Sequence, residues 1–189
     1  YAKYNEIETW LFGDNLSCRW RFDPVTKALT IGPANLSSTN ASFSTRNDLR
    51  NSLSKAGIDI TSITSFALFE RVKAKDEALV ELFNGCKNLQ SVDFHGLDTS
   101  AATSLSNTFI SCSALPSIDF SMLDFSSMKS LNGVFAYCSN LQSVNLEGIN
   151  TSTITTMRDV FNGCSSLKTV DISMFDFSNV TDFTAFFWN

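Results

Sequence analysis

Charge is scarce in this chain. Asp, Glu, Lys and Arg make up 17% of its 189 residues, and the net charge is −5. Residues 1–80 hold 10 cationic and 9 acidic side chains (10 − 9 = +1), and residues 81–189 hold 4 and 10 (4 − 10 = −6). An acidic half with four scattered cations is a poor match for phosphate backbones, so nucleic acid is not an expected partner. Histidine occurs once, at His95. No spacing sets a Ser or Cys nucleophile beside it, so an enzyme is not expected. No apolar run approaches the ~18–20 residues of a membrane span. The chain does not begin with Met, which fits either a leader that has been removed or a segment that starts within a longer protein.

What the sequence does contain is a period. Phe83, Phe109, Phe135, Phe161 and Phe187 are each 26 residues apart, and so are Cys86, Cys112, Cys138 and Cys164. Leu89, Leu115, Leu141 and Leu167 form a third column, and Val92, Ile118, Val144 and Val170 a fourth. Phe94, Phe120, Leu146 and Ile172 follow, then Leu97, Leu123, Ile149 and Phe175. Four units without insertion or deletion predict a solenoid, in which each unit buries its apolar edge only against the next.

Within a unit the apolar pattern changes period. Leu167, Val170 and Ile172 end in alternation, which predicts a short strand with one face buried. Leu131, Val134, Phe135 and Cys138 fall at i, i+3, i+4 and i+7, which predicts one stripe of an α- or 3₁₀-helical segment. Stretches such as "FDFSNVT" are rich in Asp, Ser and Asn, which favour turns. The expected fold is thus an α/β right-handed solenoid with one parallel ladder of short strands.

The organisation expected upstream is a cap. Cys18, Trp20 and Phe22 alternate with Arg19 and Arg21, and Asp23-Pro24 marks a turn before Leu29 and Ile31, a hairpin signal. Residues 32–44 read as a polar loop. "TRNDLRNSLSKAG" reads as a helix capped by Thr45 and closed near Gly57. Residues 1–56 are therefore a hairpin-plus-helix cap, 57–82 a degenerate repeat, and 83–189 four repeats plus the start of a fifth. The chain stops at Asn189, one residue before the next column Cys. That reads as a cut inside a longer array, with an end open to self-association.

"FNGCSSLKTVDISMFDFSNVTDF" resembles the repeat of BspA-like leucine-rich-repeat surface proteins, also found in mycoplasma-type surface lipoproteins. The shared elements are Phe-x-x-Cys-x-x-Leu, the strand "VDI" and the turn "DFSNVT". "LSCRWRFDPVTKALTIG" and "ALVELFNGCKNLQSVDF" are similar to that family's lead-in. Where ordinary leucine-rich repeats place Asn after the strand, this chain has Leu97, Leu123, Ile149 and Phe175. The resemblance implies an extracellular or cell-surface protein without enzymatic activity or cofactor. It implies binding to a protein or glycan of a host or neighbouring cell.

Three sets of columns could carry chemistry. The cysteines sit among apolar columns, where Cys behaves as a small buried hydrophobe. Parallel Cβ vectors do not suit disulfides, and a straight ladder does not converge on a metal. Asp93, Asp119, Asn145 and Asp171 lie between inward-facing residues and are expected to face solvent. Carboxylates about 5 Å apart repel by roughly 0.8 kcal/mol even in water. A calcium ladder would relieve this, but the third unit replaces the acid by Asn. Asp98, Asp124, Asn150 and Asp176 are expected to cap Asx turns. Carboxylates tiled in every unit do not suit the single pair that glycoside hydrolysis needs.

A second period of 52 residues runs through the first: Gly96 and Gly148 alternate with Met122 and Met174, and Thr99 and Thr151 with Phe125 and Phe177. Either these residues pack across units, or Met and Phe form an exposed stripe. The ligand-binding surface expected from these columns comprises Asp93, His95, Asp119, Ser121, Asn145, Glu147, Asp171 and Ser173, with Met122, Phe125, Met174 and Phe177 beside it. His95, Ser121, Glu147 and Ser173 vary, whereas Ser91, Ser117, Ser143 and Thr169 hardly do. That variation favours a binding surface over a spacer or antigenic array with no specific ligand.

Overall fold

The structure, a computed structural model, describes residues 18–33, 42–68 and 72–188. In chain order the elements begin with β1 (Cys18–Phe22), β2 (Ala28–Pro33) and β3 (Ser42–Thr45). Helix α1 (Arg46–Lys55) and a 3₁₀ turn (Ile60–Ser62) follow. Then come β4 (Ser65–Leu68), β5 (Val72–Glu77), β6 (Ser91–Val92), β7 (Leu97–Ala102), β8 (Ser117–Asp119) and β9 (Ser143–Asn145). Strands predominate over helix among the described residues.

The hairpin forms because Asp23 turns the chain, its carboxylate accepting the Val25 and Thr26 amides at 2.8 and 3.2 Å. β1 and β2 then pair antiparallel, with Trp20 opposite Ile31. β2 lies parallel to β4, so the hairpin occupies the edge that β4 would otherwise expose. β4 pairs parallel with β6 through Ser65 and Ser91, and β8 with β9 through Ser117 and Ser143. Each offset is 26 residues (91 − 65 and 143 − 117). The period in the sequence is therefore the distance along the chain between neighbouring rungs.

Two features differ from the expected plan. Instead of one ladder, the described residues form three sheets: β1-β2-β4-β6, then β3-β5-β7, and the pair β8-β9. The second begins with β3, β5 and β7, all parallel. It continues as single bridges joining Ser104, Ser130, Thr156 and Asp182. Residues 32–33 and 42–44, expected in a polar loop, Thr45, expected to cap the helix, and the polar stretch Val72–Glu77 thus contribute strands. The physical reason is burial on one side: Val72 and Ala74 are buried while Lys73 and Lys75 are not, a period of two masked by the polar composition. The remaining loop residues 34–41 lie outside the described ones.

The second difference is that the expected helical segment is a run of turns. Its stripe is real, for Leu131, Val134, Phe135 and Cys138 are all buried. Its hydrogen bonds leave the unit, however. The amides of Leu105, Asn107, Phe109 and Ser111 donate to the carbonyls of Ser130, Asn132, Val134 and Ala136 in the next rung, at 2.8–3.0 Å. An α-helix would spend those amides on its own carbonyls four residues back. Turning every second N–H outward requires left-handed backbone at two places per unit. The first set is Asn107, Gly133 and Asp159; the second is Ser111, Tyr137 and Gly163.

This turn ladder needs a beginning. In the first full rung the carbonyls of Leu82 and Asn84 occupy the places where Thr108 and Ile110 accept in the second. Arg50 of α1 donates to both, Nε to Leu82 at 3.1 Å and Nη2 to Asn84 at 2.8 Å. α1 itself ends as expected at Gly57 (φ 72°), with Ile58 N–H bonded to Leu53 O and Gly57 N–H to Ser54 O. Thr45 immediately precedes α1, and the Cys18, Leu49 and Thr45 side chains lie outside what is described.

A column of stacked rings runs through the core and ends on Phe187, which is exposed. Phe83, Phe109, Phe135, Phe161 and Phe187 follow one another at 5.3, 5.9, 5.6 and 5.4 Å between centroids, within 19° of parallel. Such pairs add about 0.5–1.5 kcal/mol each beyond area burial. At the last rung the column opens. Ile118, Phe120 and Leu123 are buried, whereas Val170, Ile172 and Phe175 are half-buried, and no strand forms at 169–171.

Candidate functional site

The eight strand-face positions named from the sequence are all exposed and share one side of the rungs. Their carboxylates are not free, however. Asp93, Asp119, Asn145 and Asp171 each accept the amide two residues on, from His95, Ser121, Glu147 and Ser173, at 2.8–3.1 Å. Asp98, Asp124, Asn150 and Asp176 do the same for Ser100, Ser126, Ser152 and Ser178, as expected of Asx turns. The Ser bonds hold the carboxyls of Asp98, Asp119, Asp124, Asp171 and Asp176 below their ordinary range. Among the described residues no three His, Cys, Asp or Glu side chains are placed to share a metal ion. The acidic columns thus act as corner-makers.

Those side chains differ from rung to rung: His95, Ser121, Glu147 and Ser173. Met122 and Met174 stand beside them, 56% and 71% exposed. Phe125 does not belong to this surface. It is buried and packs on Phe120 at 6.0 Å between centroids. Rungs on both sides enclose it, whereas Phe177 has a rung on one side and stays 38% exposed.

Thr99 and Thr151 explain the 52-residue alternation. Both are buried, and each hydroxyl bridges to the following rung. Thr99 Oγ1 donates to Asp124 O and accepts Asp124 N–H, at 2.9 and 2.7 Å. Thr151 does the same at Asp176, at 3.3 and 2.7 Å. Phe125, in the rung between them, is buried. The packing reading therefore holds for Phe125, and the exposed-stripe reading for the methionines.

Cys86, Cys112, Cys138 and Cys164 are buried free thiols. The last three donate to the carbonyls of Phe83, Phe109 and Phe135 at 3.0–3.1 Å. Desolvation pushes every one up: Cys86 to about 12, Cys164 to about 11, and the inner two further. They are structural rather than nucleophilic.

The sequence reading missed the opposite, turn-bearing side of the rungs. A cavity of about 110 Å³ opens there, with Tyr137 and Arg158 in its lining. A signal was present: Tyr137 stands in register with Gly85, Ser111 and Gly163, an aromatic where its column otherwise holds small residues.

Comparison with known proteins adds a family and a distant structure. The family described as "Mycoplasma protein of unknown function, DUF285" matches residues 77–189. A crystal structure of a leucine-rich-repeat protein from T. pallidum is similar at a TM-score of 0.42 and 15% identity, over 82% of this chain and 78% of that one. No curated protein matches. No helix among the described residues is long and apolar enough to cross a membrane.

Proposed function

This chain belongs to the family described as Mycoplasma protein of unknown function, DUF285, and from that premise we propose that it is a BspA-like surface protein, exported and non-enzymatic, that binds a protein or glycan of another cell. Its rungs form a right-handed solenoid, and the strand face is the binding face. One observation carries this reading. The turn-forming acids repeat in fixed register, yet the exposed residues two positions after them read His95, Ser121, Glu147 and Ser173. A scaffold that is constant where it bends and varied where it meets solvent suits recognition. Met122 and Met174 add adaptable apolar contacts at its border.

The test is adhesion of the purified chain to intact host cells and to immobilised extracellular-matrix proteins. The comparison is a variant carrying His95→Ala, Met122→Ser, Glu147→Ala and Met174→Ser, all at exposed positions. At least tenfold weaker adhesion with an unchanged melting temperature supports the strand face. Equal adhesion, or none by either protein, leaves the array as a spacer.

A further inference from the structure

The turn-bearing side of the rungs holds a second, independent feature. Tyr137 has φ 61°, left-handed backbone that an L-residue enters at a cost of about 1–2 kcal/mol. The same column holds Gly85 and Gly163 at φ 75° and 71°, where the conformation is free of that cost. Ser111 shares the left-handed conformation at φ 62°, so Tyr137 is the bulkier of two non-glycine residues in the column that carry that cost. Its side chain gains little burial in return, being 54% exposed. The ring lies over Gly163, where a Cβ would come within 2.7 Å of Tyr137 Cδ1. Backbone strain kept at an exposed aromatic is the kind of outlier that accompanies a binding role.

Around that ring the polar groups are half spent. Asn132 Oδ1 accepts from Thr156 Oγ1 at 2.6 Å and from the Arg158 amide at 2.9 Å, which fixes its amide orientation and leaves Nδ2 as a donor. Arg158 gives Nε to Asp159 Oδ2 at 3.0 Å, and its two terminal nitrogens have no partner among the described residues. Asp159 Oδ1 accepts from Asn162 Nδ2 at 2.9 Å, which leaves Oδ1 of Asn162, a residue of the cavity lining, as an acceptor. Donors and acceptors are thus interspersed among the residues that line the cavity, Tyr137 among them.

A hydroxyl both donates and accepts, so partners of both kinds match a run of hydroxyls. An anion would meet the Asp159 carboxylate, and a cation would meet Arg158. A volume of about 110 Å³ is well below the ~300–1,000 Å³ of sites for drug-sized ligands. It suits the edge of a single ring. We propose that Tyr137, Asn132, Arg158, Asp159 and Asn162 form a subsite for one neutral pyranose residue. Its C–H face stacks on Tyr137, and its hydroxyls bond to the polar groups. The subsite is separate from the strand face and does not depend on that face binding anything.

The experiment is saturation-transfer NMR on the whole chain, with methyl glycosides of neutral hexoses and N-acetylhexosamines up to about 10 mM, weak single-sugar affinities being of this order. Inorganic phosphate serves as the anionic control. At least one glycoside is expected to receive saturation and to shift the Tyr137 and Gly163 amide resonances. Tyr137→Ala should weaken it about tenfold or more. Should that variant melt early, Arg158→Gln, at an exposed side chain, tests the polar groups with the fold intact. Val25→Ala, 86% exposed in the hairpin turn and part of neither surface, should leave the signal unchanged. No saturation of any glycoside, displacement by phosphate, or binding indifferent to both the Tyr137 and Arg158 variants overturns the subsite.

Discussion

At the scale of residues, Arg50 has the largest task for a single side chain. It satisfies two half-buried carbonyls that no rung precedes. Loss of a charged donor strands both acceptors, which costs about 1–3 kcal/mol each when buried. Arg50→Ala is therefore expected to lower the urea midpoint by more than any exposed cation tested, Lys129 for example. Arg50→Lys should recover less than half of the loss, because one ammonium cannot copy a two-pronged guanidinium. Full rescue by Lys would show that only charge matters there. The thiols make a second prediction. Burial raises each above its ordinary 9.0. The folded state thus keeps protons that the unfolded chain gives up. Their contribution is complete below pH 9.0 and is lost as pH climbs towards about 11 for Cys164 and about 12 for Cys86. While only the unfolded thiol ionises, each withdraws about 1.4 kcal/mol per pH unit. Denaturation midpoints should fall more steeply above pH 9 in the native sequence than in Cys112→Ala. Equal slopes would mean that the thiols are solvated.

At the scale of elements, Leu141 tests the register. It is fully buried between rungs while its neighbour Gln142 is exposed. Leu141→Ala should cost about 2–5 kcal/mol, and Gln142→Ala should stay within about ±0.5 kcal/mol. Similar urea midpoints would move the strand by one residue. The short strands at 91–92, 117–119 and 143–145 were legible because apolar residues alternate there, whereas the one expected from Leu167, Val170 and Ile172 does not form, having no following rung to pair with. The hairpin and α1 were legible from Asp23-Pro24 and Gly57, residues whose backbone preferences are strong. The turn ladder was not. Its apolar stripe matches a helix, since a left-handed residue at every fourth place also returns side chains to one side. The distinguishing signs are Gly85, Asn107, Gly133, Asp159 and Gly163, which tolerate positive φ; Ser111 and Tyr137 in the same columns obscure them. Phe125 was misplaced for a different reason: its exposure depends on whether a following rung exists, which no local pattern encodes. The strand-face positions were legible because alternation fixes which side a residue takes. The cavity beside Tyr137 was not, because it is assembled from three rungs.

At the scale of the whole molecule, stability is carried by contact between neighbours, so it should decline towards an open face. Val170 and Asp171 have no strand partner, whereas Ile118 and Asp119 pair with Val144 and Asn145. In a dilute, monomeric sample the amides of residues 169–172 should exchange with deuterium at least tenfold faster than those of 117–120. Equal protection would show that the last rung is closed by other means. The turn ladder has one more consequence, and it is electrical. Its amides in each rung donate forward, from Leu105 to Ser130, from Leu131 to Thr156 and from Met157 to Asp182. Peptide dipoles aligned head to tail add, as they do along a helix axis. The edge of the array that carries this ladder is therefore polarised, with carbonyl oxygens towards the first rung and amide hydrogens towards the last. Arg50 places a positive charge at the negative pole. The positive pole, by the same logic, lies at the amides of Phe183, Ala185 and Phe187, which stand in register with the donors Met157, Asp159 and Phe161.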